Sequence, residues 1–153
     1  MEQSIAFRNQ VYQHCKQVLQ ARVEQLVVAL ENAREAIWED TKSSAGDKYE
    51  TSRERLQQDV LGMETQLRET RKMQYLLDTF KVPPAHKSIQ AGHFIQTDNL
   101  HVFLGIGLGW IQVEGQRIMA LSPASPLGQA LLGKQEGDTL LINGQEHTIV
   151  QIV

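Results

Sequence analysis

The most constraining feature of this chain is a long alternation, in steps of four and three, of apolar or small residues. Leu19, Val23, Leu26, Leu30, Ala33 and Ile37 follow it, and Leu56, Val60, Met63, Leu67, Thr70, Gln74 and Leu77 resume the spacing after a break, turning polar at Thr70 and Gln74. Four-three spacing keeps one stripe on one side of a helix, the seam of a coiled coil. Tyr12 and Cys15 extend the first stripe toward the N-terminus. Two such helices separated by a short break are expected to fold back as an antiparallel hairpin. The break, Lys42 to Glu50, would be its tip. At about 1.5 Å per residue, roughly 32 to 38 helical residues set that tip on the order of 50 Å from the base.

The pattern changes near Val82. The first 80 residues contain two glycines and no proline, whereas all four prolines and the other nine glycines follow. The expectation is α+β: a long coiled-coil finger over residues 1–81 with its tip at 41–50, a linker at 82–87, and a small β-rich domain with one short helix at 88–153. The first helix is expected from about Ser4 to Asp40, and the second from about 47–50 to Phe80. Val27 and Val28 lie off the seam and point to a further neighbour. Met73, Leu76 and Phe80 open a second stripe, expected to meet the β-rich part. Pro83 and Pro84 stop the helix.

Downstream, His93 to Thr97 reads as a strand and Asp98-Asn99 as a turn. Leu100 to Val113 reads as one continuing strand with Gly105, Gly107 and Gly109 on one face. Glu114-Gly115 is a turn before Gln116 to Leu121. Ser125 to Gly133 is a short helix with a serine N-cap, a first-turn proline and a closing glycine. Thr139 to Ile142 and Gln145 to Ile152 form a hairpin about Asn143-Gly144.

Net charge is −3, with eleven basic and thirteen acidic residues through Phe80 and four and five thereafter. No basic stripe for phosphates results, which argues against independent nucleic-acid binding and for a protein partner. Cys15, the one cysteine, reads as buried and inert, and His14 as a solvated surface residue. No apolar stretch is long enough to span a bilayer, and Met1 to Ile5 does not begin a secretory signal, so a cytoplasmic protein is expected.

Asp47 and Glu50 are the constellation with chemical promise. At i, i+3 they share one side of a helix and could hold a hard divalent cation such as Mg²⁺ together with a partner. The same spacing is a capping box, and spacing alone favours capping.

Ser122-Pro123-Ala124-Ser125-Pro126-Leu127-Gly128-Gln129-Ala130-Leu131-Leu132-Gly133-Lys134, followed by Gly137-Asp138, is similar to the C-terminal signature of the GreA/GreB family of bacterial transcript-cleavage factors. The finger and Gly46-Asp47-x-x-Glu50 resemble that family's N-terminal part. The resemblance implies an FKBP-like C-terminal domain that docks on RNA polymerase, with Ser122, Pro123, Ser125 and Pro126 as partner-binding candidates. It also implies that the finger enters the secondary channel and meets the RNA 3′ end only inside the polymerase. Asp47 and Glu50 would share a second Mg²⁺ there and promote hydrolysis of backtracked RNA, so the chain would assist another enzyme's active site. Thr51-Ser52-Arg53 departs from the family's Asn-Ala-Glu-Tyr. Aligning Tyr49 with that tyrosine would place Lys42 and Ala45 at the acidic positions and imply a channel regulator without cleavage. A peptidyl-prolyl isomerase and a plain coiled-coil scaffold are the remaining readings. The isomerase is disfavoured because only Phe94, Phe103 and Trp110 could line an apolar pocket.

Overall fold

The computed structural model describes residues 2–42 and 46–153, with backbone alone over 46–50. Two long helices come first, α1 (Glu2–Lys42) and α2 (Gly46–Asp78). Six strands and one short helix follow: β1 (Phe94–Thr97), β2 (His101–Leu104), β3 (Gly109–Val113), β4 (Gln116–Leu121), α3 (Pro126–Leu131), β5 (Thr139–Ile142) and β6 (Gln145–Ile152). The class is α+β. The chain divides into two compact units, Gln17–Gln74 and a second made of Met1–Lys16 with Tyr75–Val153.

Within Gln17–Gln74, burial follows the four-three stripe. Leu19, Leu30 and Thr70 are buried, and Val23, Leu26, Ala33, Ile37, Leu56, Val60, Met63, Leu67 and Gln74 are half-buried. Polar links between the two helices include Gln74 Nε2 donating to Gln20 Oε1 (3.2 Å), Arg34 Nη2 to Glu64 Oε1 (2.9 Å) and Arg53 Nη2 to the Asp40 carbonyl (3.2 Å). Partners later in α1 are thus earlier in α2. Thr70 stays buried because its hydroxyl donates to the Gln66 carbonyl (2.7 Å), satisfying the one polar group it carries. Val28 and Leu61 are exposed on this unit.

In the second unit the sheet runs β3-β4-β2-β1-β6-β5, antiparallel except for β2 and β4. Ile95, Val102, Leu104, Ile149, Leu140 and Ile142 form its inner face with Ile89 and with Leu131 of α3. The opposite face of β1 and β2 meets the first turns of α1, where Phe7 packs edge-on against Phe94 with ring centroids 5.5 Å apart. Both faces of β1 are therefore covered, and Phe94, Ile95 and Thr97 are all buried. Phe80, just past α2, lies against Gly92 and Gly105, where an added Cβ would come within 3.1 Å of its ring at each glycine. Of the residues expected to form a second stripe, Phe80 meets the sheet, whereas Leu76 remains 45% exposed.

The expected single strand over Leu100 to Val113 is instead two. β2 ends at Leu104, the chain turns through 105–108, and β3 begins at Gly109 with φ +73°. Gly105, Gly107 and Gly109 consequently do not share a strand face: the first is packed under Phe80, while the others are exposed. Alternation in the sequence continued through the turn because Ile106 is buried there too. The other turns stand where their residues put them. Glu114 and Gly115 (φ 48° and 76°) and Asn143 and Gly144 (φ 50° and 78°) adopt the left-handed pairs that close two-residue hairpins.

Candidate functional site

Asp47 and Glu50 are the second and fifth residues of α2, near its start. Their side chains lie outside the described residues, as do Ser43, Ser44 and Ala45. Helix α1 reaches Lys42, whose ammonium sits 5.3 Å from the ring centroid of the exposed Trp38. Arg53, one turn after Glu50, ties α2 to the last turn of α1 through the Asp40 carbonyl. Among the described residues, no group of three or more His, Cys, Asp or Glu is placed to hold a metal.

The segment after β4 is a self-contained turn. Ser122 Oγ accepts from the Ala124 amide (3.1 Å), and the Ser122 carbonyl accepts from both the amide and the hydroxyl of Ser125 (3.1 and 2.7 Å). Ser125 Oγ in turn accepts from the Gly128 amide (3.0 Å), capping α3 as its position suggested. Gly133 follows the last turn with φ +83°, which suits a glycine. Gly128 packs so tightly on Ser122 that any Cβ there would collide with the Ser122 carbonyl oxygen. Both serine hydroxyls are therefore engaged within the turn, and Ala124 and Pro126 are its exposed members. The result is an internally hydrogen-bonded turn with Ala124 and Pro126 at its exposed tip.

No family model and no curated protein matches this chain. The reading of its function therefore stands on its residues and their geometry.

Two buried groups went unremarked in the sequence. Arg8 is fully buried, with its guanidinium 5.7 Å from the ring centroids of both Tyr12 and Phe103. Nε and Nη2 donate to the Gly92 carbonyl (3.2 and 2.8 Å), Nη1 donates to the Lys81 carbonyl (3.0 Å), and Nη2 also donates to Phe80 O. Those last two carbonyls close the end of α2, where backbone acceptors lack helical donors and the helix dipole is negative. Burial lowers the Arg8 pKa, and the neighbouring Tyr12 opposes that shift; the Tyr12 pKa is itself raised first by burial and then by Asp78. The signal for Arg8 was present: Arg8, Tyr12, Cys15 and Leu19 continue the four-three stripe, so Arg8 stands at an inward position.

His93 is the second. Its Nδ1 accepts from the Gln90 amide (2.9 Å), so Nε2 carries the proton and donates to the Pro84 carbonyl (2.9 Å). It thereby holds the proline segment to the start of β1 as a neutral imidazole. Burial is the main cause of its lowered pKa, and the charges of Arg8 and His86 add to it. Cys15 is buried as expected, its thiol pushed up to about 12 by desolvation, which leaves it unreactive at neutral pH.

His147, Thr97 and Asp98 gather hydrolase-like residue types, but they do not form a relay. Thr97 Oγ1 and Asp98 Oδ1 both approach the same ring nitrogen, Nδ1, at 3.3 and 3.6 Å. A relay needs the acid and the nucleophile on opposite nitrogens. The Thr97 hydroxyl also accepts from the Leu100 amide (2.9 Å), so this cluster builds the β1–β2 turn.

Proposed function

We propose that the chain is an RNA polymerase-binding elongation factor of the GreA/GreB type, whose coiled-coil finger enters the secondary channel and promotes cleavage of backtracked RNA. The observation that carries the reading is the Ser122–Gly133 segment. The residues that resemble the family's signature are those that build the turn, cap and close glycine packing of α3. The polar links between α1 and α2 run in opposite order along the two helices, which supports an antiparallel coiled-coil hairpin. A six-stranded, mostly antiparallel sheet packed on one short helix is compatible with an FKBP-like domain, here used for docking, with Ala124 and Pro126 as its exposed contact residues.

Asp47 and Glu50 would act at the tip. Carboxylates are the hard oxygen donors that Mg²⁺ takes, and two in one turn leave room for ligands from a partner. An ion so shared would activate water and stabilise the leaving oxygen. The chain's own part is to bring two negative charges, held by a helix start, to an active site that belongs to the polymerase.

The test is a stalled, backtracked elongation complex incubated with the purified protein and Mg²⁺. Shortening of the RNA from its 3′ end is the expected result. Slowed synthesis without shortening would transfer the reading to a channel regulator of the kind that the Tyr49 alignment implies.

A further inference from the structure

The face of the sheet beneath α1 carries an unexplained row of polar side chains. Gln96 of β1 is in register with His101 of β2 on one side and with Gln151 of β6 on the other. Residues paired across strands share a face, so the three stand in line at about 4.8 Å per strand. They open into a cleft of about 290 Å³ whose wall includes Phe7, Phe94 and Gln116. Ser4 Oγ donates to Gln151 Oε1 (3.2 Å), which fixes that amide and leaves its NH₂ to donate elsewhere. The His101 ring is held 5.8 Å from Phe94. Among the described residues, the side chains of Gln96, Gln116 and His101 make no hydrogen bond to the protein.

The chemistry of this lining selects a ligand. No Lys, Arg, Asp or Glu borders the cleft, so a charged group entering it would lose hydration without a counter-charge. Side-chain amides each offer a donor and an acceptor in one plane, and the phenylalanine rings add an apolar wall. A neutral flat heterocycle with alternating donors and acceptors satisfies both, and a glutamine amide pairs in bidentate fashion with the N6 and N7 atoms of adenine. We propose that this cleft binds the purine base of a nucleoside, adenine by preference, through the amides of Gln96 and Gln151 with His101 beside them. The proposal does not depend on the polymerase reading, since no tip residue takes part.

Titration of the full-length ¹⁵N-labelled protein with adenosine tests it. The side-chain amide signals of Gln96 and Gln151 should shift saturably, and adenosine monophosphate should bind no more tightly than adenosine because no cation awaits its phosphate. Gln96→Ala should weaken binding by about fivefold to a hundredfold, the loss of a bidentate amide pair, with an unchanged thermal midpoint. Absence of saturable shifts at these amides would overturn the proposal. So would monophosphate binding distinctly tighter than nucleoside, or equal adenosine binding by a folded Gln96→Ala protein. If that variant fails to fold, the shifts and the monophosphate comparison in the parent protein decide alone.

Discussion

Arg8 holds a positive charge where water does not reach, and three backbone carbonyls take the place of a counter-ion. Removing it leaves the buried acceptors of Phe80 and Gly92, and the part-buried one of Lys81, without that donor. Arg8→Met, which keeps the apolar stem, should therefore cost on the order of 3 kcal/mol in denaturant unfolding. An unchanged midpoint would mean that those carbonyls find other partners. His93 makes a pH-dependent contribution whose sign follows from its lowered pKa. The unfolded imidazole takes up a proton near its ordinary value of 6.5, whereas the folded one resists it. The unfolded state then binds more protons below that value, so the contribution is intact above pH 6.5 and is lost as pH falls toward the folded pKa. Unfolding measured between pH 7.5 and 5.5 should show a steeper acid loss for the parent than for His93→Gln. Parallel curves would show that residue 93 is not the group responsible.

At the scale of elements, the stripe of α1 and α2 is unevenly buried, and stability should track that. Leu30 is 3% exposed and Leu26 only half-buried. Leu30→Ala should cost about 2–5 kcal/mol, as a well-packed leucine does. Leu26→Ala should cost about 1–2 kcal/mol, in proportion to the smaller apolar area it removes from water. Thermal or urea unfolding of the two variants checks the order, and equal losses would contradict the burial pattern. The Arg34–Glu64 pair lies at the surface, 58% and 36% exposed at its side chains, and contributes little by comparison. In the sheet, the strand break at 105–108 shows how an element boundary can escape a periodic pattern. Ile106 is apolar and buried in a turn, where the same alternation serves packing instead of a ladder.

For the whole molecule, the base of the helices and the sheet fold as one unit, which bears on how docking is tested. A chain truncated after Lys81 would strip Phe7, Arg8 and Phe80 of Phe94, Gly92 and Gly105. Loss of polymerase binding by such a fragment would mix misfolding with lost contacts, so the full-length protein is the proper object. In it, Asp47→Asn with Glu50→Gln keeps oxygen acceptors suited to a helix start and removes the charge that a divalent cation needs. The double variant should fold and bind polymerase like the parent while RNA shortening from backtracked complexes falls to the level without factor. Undiminished shortening would remove both acids from the mechanism.

What the sequence by itself determined is local. The four-three stripe, the proline stop, the Ser125 cap, Gly133 and the two hairpin turns are written in residues within one or two turns of each other, and the backbone follows them. The nine elements and the α+β class follow from these signals, apart from the break after Leu104. Asp47 and Glu50 were legible as a pair for the same reason, since i, i+3 spacing needs only a helix. Tertiary structure decided the rest. The acceptors of Arg8 lie 72 to 84 residues away, and the stripe could place Arg8 inward but could not say what it would meet. The row of His101, Gln96 and Gln151 exists only once strand register brings three distant segments side by side. Periodicity reports which way a side chain faces. Which backbone it faces depends on chain closure over tens of residues, and no local spacing encodes that.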